Sequence, residues 1–192
     1  MEKIILVGGG GHCRSCIDVI EQQGKFRVGG IVDLPGKLGT EMMGYKFIGI
    51  DDDLERLVRE YPYFLITMGM IRVSQSRRDL YTRIKKTGGT FPIIISPNTY
   101  VSKHAAIGEG TILMHGVIVN AGAVIGVNCI VNSHALIEHD AQVGDHCHIA
   151  TTAVINGGVQ VGANTFIGSG AITKQNVVIP AESFVAANSI HS

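Results

Sequence analysis

The chain has 192 residues, and its 16 Lys+Arg balance 16 Asp+Glu, so no basic surface for nucleic acid or acidic lipid is written into the composition. Hydrophobic residues make up 45%, charged residues 17%, Trp is absent and Gly numbers 25; this excludes a disordered chain and predicts an aliphatic core with many tight turns. No apolar run approaches a bilayer span, so no membrane insertion is expected. Met1 to Val7 lacks the basic n-region, apolar core and cleavage site of a signal peptide. Cys13, Cys16, Cys129 and Cys147 do not form a disulfide framework. The expected setting is the reducing cytoplasm.

In chain order, Lys3 to Val7 reads as an apolar strand and runs into Gly8-Gly9-Gly10-Gly11. A helix follows to about Gln23 and stops at Gly24. A second strand, Val28 to Val32, ends at Asp33, and Leu34 to Gly44 reads as a Gly/Pro-rich loop. A third strand is expected near Tyr45 to Ile48. Asp51 can cap a helix reaching Arg59, with Asp51 to Asp53 at the positive end of its dipole. Strand Phe64 to Met68 ends at Gly69, a basic helix covers about Gln75 to Lys86, and a strand follows at Phe91 to Ile95. Strands alternating with helices predict a small parallel α/β sheet of the Rossmann-like kind over residues 1–97. Ligands of such sheets bind beyond the C-terminal strand ends, which places Gly8 to His12, Asp33 and Gly69 on one rim. Gly8-x-Gly10-x-x-Cys13 carries two of the three dinucleotide glycines. Asp33 closes the second strand, where a carboxylate suits a ribose hydroxyl. Arg77 or Arg78, early in the basic helix, could reach a nucleotide diphosphate.

From Val101 the chain divides into hexads without insertion. The lead residues run Val101, Ile107, Leu113 and onward to Val185, and 14 of these 15 are Val, Ile or Leu. Every fifth residue is small or β-branched, from Ala105 to Ser189. A period of six fits neither a helix face nor a hairpin series. It fits a coil of short strands whose leads point inward and whose fifth residues fill narrow corners. Residues 98–192 are therefore expected to form a three-sided parallel β-helix of about five turns, 18 residues each, with residues 18 apart stacked in columns. Cys129 and Cys147 then stack as reduced core thiols, and Asn120, Glu138 and Asn156 form a polar column.

The two halves together, with KIILVGGGGH at the start and Ile137-Glu138-His139-Asp140 within the hexads, resemble the PglD/NeuD-type sugar acetyltransferases. The resemblance implies a left-handed β-helix and a homotrimer with acetyl-CoA sites between neighbouring β-helices. It also implies an N-terminal domain that holds a nucleotide-linked amino sugar. The activity implied is N-acetylation of a nucleotide-activated 4-amino-dideoxy sugar in bacterial glycan or nonulosonic-acid synthesis, with acetyl-CoA as cosubstrate and no metal. By motif, His139 matches the general base and Asp140 its acidic neighbour. Gly10, Gly11 and His12 match the segment that contacts the nucleotide sugar, with Asp33 and Gly69 on the same rim. His148 matches a histidine near the acetyl-CoA thioester, and Ser169 and Ala187 fall where late coils meet the coenzyme arm. The Phe184 to Ser192 end lacks the Gly-x-Pro-Ala-Lys-like tail common among relatives.

Acyl transfer to an amine needs a proton acceptor, and an imidazole with a nearby carboxylate supplies one at neutral pH. In its column His139 is flanked by Ala121 and Gly157, which leaves room beside the ring. Three rivals remain from sequence. One is a zinc-dependent β-helix carbonic anhydrase, suggested by His134-x4-His139 but lacking a third histidine two turns earlier, where Asn98 stands. The second is a non-catalytic nucleotide-sugar-binding trimer. The third is an acetyltransferase acting on a sugar hydroxyl.

Overall fold

The structure is a computed structural model and describes residues 1–70 and 75–192. Contacts divide it into two units: Met1–Gly69 with Gln75–Pro92, and Met70 with Ile93–Ser192.

The first unit is α/β. Strand β1 (Glu2–Val7), helix α1 (Gly11–Gln23), β2 (Phe26–Val32), β3 (Glu41–Met42), β4 (Tyr45–Gly49), helix α2 (Leu54–Glu60), β5 (Tyr63–Ile66) and helix α3 (Gln75–Lys86) follow in order. The sheet order is β3-β4-β2-β1-β5, parallel except for the β3–β4 pair. Ile4, Ile5, Leu6 and Val7 are buried, as a central parallel strand covered on both faces requires. Gly24 ends α1 in the left-handed conformation, its N–H bonded to Ile20 O at 3.1 Å.

Four expectations are corrected. The loop from Leu34 to Gly44 contains the short strand β3, turned back on β4 through Met43 and Gly44, both at positive φ (50° and 80°). That is a two-residue hairpin without the usual Asn-Gly signature. Asp53, not Asp51, stands at the N-cap of α2 and makes no side-chain cap bond there; its Oδ2 accepts the Ile50 N–H at 2.9 Å across the 3-10 turn that Asp51 opens. Strand β5 stops at Ile66 instead of Met68, because Thr67 N and Met68 N both turn to Val7 O, at 2.8 and 3.2 Å. Finally, Ile94–Ile95 does not join the α/β sheet: it pairs in parallel with Ile112–Leu113, 18 residues on.

The hexad register therefore begins at Ile95, one hexad before Val101, and the second unit is a three-sided parallel β-helix with sheets of six, five and six two-residue strands. Every pairing joins residues 18 apart, as in Ile118↔Leu136 and Leu136↔Val154. The leads from Leu113 to Val185 and the fifth residues from Thr111 to Ala171 are at most 5% exposed and form one continuous core. Thr173, the polar lead, is buried with its Oγ1 accepting Asn156 N at 2.9 Å. Cys129 and Cys147 stack as expected, their thiols donating to Gly144 O and Gly162 O at 3.2 Å. Mutual hydrogen bonding and burial raise the Cys147 thiol above its ordinary range.

The corners follow a rule in the fourth hexad position. Gly110, Gly116, Gly122, Asn128, His134, Asp140, His146 and their successors to Asn188 all hold φ between 53° and 76°. Gly, Asn, Asp and His are the residues that enter this left-handed region most readily.

Candidate active site

The rim of the α/β unit gathers the residues expected there. Gly8 leaves β1 with φ 104°, and a Cβ on it would lie 2.6 Å from Met68 N, so only glycine lets the exits of β1 and β5 come this close. Thr67 Oγ1 donates to Gly8 O at 2.7 Å and locks the same junction. Gly10 and Gly11 are exposed at the start of α1, which no side chain caps, so its first N–H groups face outward. His12 packs against Gly69, where an added Cβ would meet His12 Cβ at 3.4 Å.

Asp33 lies on the rim but is committed to the loop. Its Oδ2 accepts Gly9 N at 2.6 Å and Lys37 Nζ at 2.8 Å, and its Oδ1 accepts Leu34 N at 2.7 Å. Burial alone would raise this carboxyl; hydrogen bonds from Lys37, Leu34 and Gly9 outweigh it and hold the group below its ordinary range. Lys37 also donates to Gly9 O at 2.9 Å, so one ion pair ties the glycine loop to the loop after β2. Lys37 and Thr67 were not read from sequence; the available signal was a lysine four residues after a strand-ending aspartate. Arg77 is 1% exposed and donates through Nη1 to Ile66 O and Met68 O at 2.7 and 2.8 Å, so it braces the end of β5 and does not reach for a diphosphate. Cys13 and Cys16 lie on the buried face of α1, and burial pushes the Cys13 thiol up to about 11, which keeps it protonated and unreactive at neutral pH.

In the β-helix unit, His139 and Asp140 occupy one corner. Asp140 has φ 59°, a position the coil reserves for such residues, and this turns its carboxylate toward its neighbour. His139 Nδ1 lies 2.9 Å from Asp140 Oδ2, with the two side chains 61% and 73% exposed. A carboxylate partner makes Nδ1 the protonated nitrogen, so Nε2 of the neutral ring is the acceptor. Glu138 Oε2 accepts Asn120 Nδ2 at 2.9 Å and His139 N at 3.3 Å, so the polar column steadies this corner. Asn156, its third member, donates instead to Thr173 O.

His148 is 7% exposed. Its Nδ1 donates to Met70 O at 2.6 Å, and its ring stands edge-on to Phe166 at 5.2 Å, with Phe184 stacked beyond at 5.3 Å. Ser169 and Ala187 are exposed neighbours on successive coils, where Ser169 O accepts Asn188 N at 2.9 Å. Their corner and the His139 corner border opposite edges of the same face, the one carrying Ile118, Leu136 and Val154. Within one chain the coenzyme-matched residues and His139 are therefore not brought together. A groove of about 530 Å³ lies on the adjoining face of Val124, Gln142, Gln160 and Val178 and includes none of them. Among the described residues no group of three or more His, Cys, Asp or Glu could hold a metal ion, and no helix is long and apolar enough to cross a membrane.

A small α/β domain followed by hexapeptide coils in stacked parallel sheets is the architecture of left-handed β-helix acetyltransferases. Residues 3–84 match the family model for the PglD N-terminal domain, and residues 140–175 that for the bacterial transferase hexapeptide (six repeats). The chain thus carries a PglD N-terminal domain followed by bacterial transferase hexapeptide repeats. It is 34% identical over 117 residues to UDP-N-acetylbacillosamine N-acetyltransferase of Bacillus subtilis, covering 59% of this chain and 52% of that protein. The match thus spans about half the length of that curated relative. Two solved structures are similar over 100% of this chain. A histidine-to-asparagine mutant of perosamine N-acetyltransferase from Caulobacter crescentus, in complex with CoA and GDP-perosamine, matches with 29% identity and a TM-score of 0.92 over 89% of its own chain. The acetyltransferase domain of PglB from Neisseria gonorrhoeae, in complex with acetyl coenzyme A, matches with 28% identity and a TM-score of 0.86 over 93% of its own chain.

Proposed function

We propose that this protein is an acetyl-CoA-dependent N-acetyltransferase acting on the amino group of a nucleotide-activated 4-amino sugar, with His139 as general base. The observation that carries the reading is the 2.9 Å contact of His139 Nδ1 with Asp140 Oδ2, on an exposed corner, which supports Nε2 as the acceptor. The amine nitrogen of the sugar attacks the thioester carbonyl carbon and gives its proton to His139 Nε2. The C–S bond breaks, and the leaving CoA thiolate recovers that proton from the imidazolium, whose charge Asp140 stabilises. No covalent acyl-enzyme is needed. The relatives bound to CoA, acetyl coenzyme A and GDP-perosamine support the choice of cosubstrate and of substrate class. The rim of Gly10, Gly11, His12 and Gly69 is proposed to hold the nucleotide sugar, the uncapped start of α1 suiting its phosphates. Asp33 acts there by fixing the glycine loop.

The working form is proposed to be a homotrimer. Tyr100, Ile118, Leu136, Val154, Ile172 and Ile190 form an outward apolar stripe on one face. Ile118 and Ile172 are 42% exposed and Ile190 73%, which favours cover by another copy of the chain. Because His139 and the Ser169–Ala187 corner border that face on opposite edges, a second copy would bring one chain's His139 to the other chain's coenzyme-matched corner.

The test is release of free thiol from acetyl-CoA against a panel of UDP-, GDP- and dTDP-linked 4-amino sugars. Turnover with at least one supports the reading. Binding of acetyl-CoA without turnover on any amino sugar overturns it.

A further inference from the structure

We infer that Gly157 is a positioning residue for His139: its missing side chain is the seat on which the imidazole lies. The inference rests on the reading of His139 as the base. Gly157 stacks one coil beyond His139 in the same column, and a Cβ built on it would come within 2.7 Å of His139 Nε2 and 2.8 Å of Cε1. A methyl group there would occupy the space of the ring edge that accepts the proton. Gly157 is itself buried, although its corner faces outward.

The coil does not require glycine at this place. Gly157 is the third residue of its hexad, and none of the other 14 third positions from Lys103 to Ala187 is glycine. Its own column reads Lys103, Ala121, His139, Gly157 and Gln175, so the same corner accepts side chains one coil before His139 and one coil after Gly157. Nor does the backbone require it, since Gly157 is not among the residues of positive φ. Gly122 differs on both counts. A Cβ there would collide with Asp140 Oδ1, but Gly158 and Gly170 are set the same way against Asn176 and Asn188, and all three have positive φ. That glycine belongs to the general packing of the corners, whereas Gly157 departs from the pattern only where the reacting imidazole lies.

A double-mutant cycle tests this with Gly157→Ala, His139→Ala and the two together. Gly157→Ala is expected to lower kcat by about 10–100-fold, the scale of a misplaced catalytic group, with KM for both substrates within about twofold. In the His139→Ala background the same substitution is expected to change the residual rate less than about twofold, because it acts only through the ring. Nuclear magnetic resonance should show the His139 ring resonances displaced in Gly157→Ala and those of the other histidines unmoved. Equal losses in both backgrounds, unmoved His139 ring resonances, or failure of Gly157→Ala to fold would overturn the inference, the last by showing that the coil itself needs the glycine. Full turnover in His139→Ala would instead remove the base assignment on which the inference stands, so the two failures are told apart.

Discussion

Replacing Asp33 with Asn should loosen the α/β unit by an amount that can be worked out from its contacts. The carboxylate accepts two backbone N–H groups and one ammonium at 2.6–2.8 Å. The amide keeps an acceptor for Leu34 N but turns an NH2 toward Gly9 N and Lys37 Nζ, so donors face donors. Loss of a charge-assisted bond to Gly9 N costs about 1.5–3 kcal/mol. The Lys37 pair, with its lysine 41% exposed, adds no more than about 1 kcal/mol. A total of about 1.5–4 kcal/mol should lower the urea midpoint of this unit by about 1.5–4 M, taking a slope near 1 kcal/mol/M. Tyrosine fluorescence follows it cleanly, since Tyr45, Tyr61, Tyr63 and Tyr81 lie in this unit, only Tyr100 lies in the other, and Trp is absent. The dependence on pH has a definite sign. A carboxyl held below its ordinary 3.8 in the folded chain contributes stability above the unfolded value and loses it as pH falls through the folded one. The gap between wild type and variant should be full at pH 7 and shrink below about pH 4. Equal midpoints at pH 7, or a gap that persists at low pH, would refute the assignment of Asp33 as the clasp of the glycine loop.

Arg77→Met removes the donor to Ile66 O and Met68 O from a buried site and should cost about 2–4 kcal/mol, read by the same fluorescence melt; a cost below about 1 kcal/mol would mean that the carbonyls find other donors. Ile155→Ala empties a fully buried lead position and should destabilise the β-helix by about 2–5 kcal/mol in a far-ultraviolet circular dichroism melt, whereas a neutral result would contradict a close-packed prism core. His12→Ala should raise KM for the nucleotide sugar by about tenfold and leave KM for acetyl-CoA unchanged; parallel rises in both would remove His12 from the sugar rim.

The β-helix was legible because its rule is local and repeated. Each lead aliphatic must face inward and each fifth residue must fit a corner, so a register error would show within one hexad. Even so, the sequence places Ile95 in the wrong sheet, since Phe91 to Ile95 reads equally well as an α/β strand. The corner rule at the fourth position was present in the sequence as the run Gly122, Asn128, His134, Asp140, His146. It explains why Asp140, next to His139, can hold its geometry. The α/β unit was less legible at its rim, where function depends on contacts far apart in sequence. The position of Asp33 follows from the end of a strand, but its commitment to Gly9, 24 residues earlier, depends on the spacing of β1 and β2. Likewise the sequence offers Arg77 to a nucleotide diphosphate, and only the packing of α3 against β5 shows that it is buried.

The central claim, that an imidazole on a coil corner takes the proton of a sugar amine, is tested most directly by the turnover of His139→Ala with acetyl-CoA and the preferred amino sugar, alongside its affinity for acetyl-CoA. A fall in kcat of about 10²–10⁴-fold at unchanged acetyl-CoA affinity is the predicted result. Turnover equal to that of the wild-type protein would contradict it.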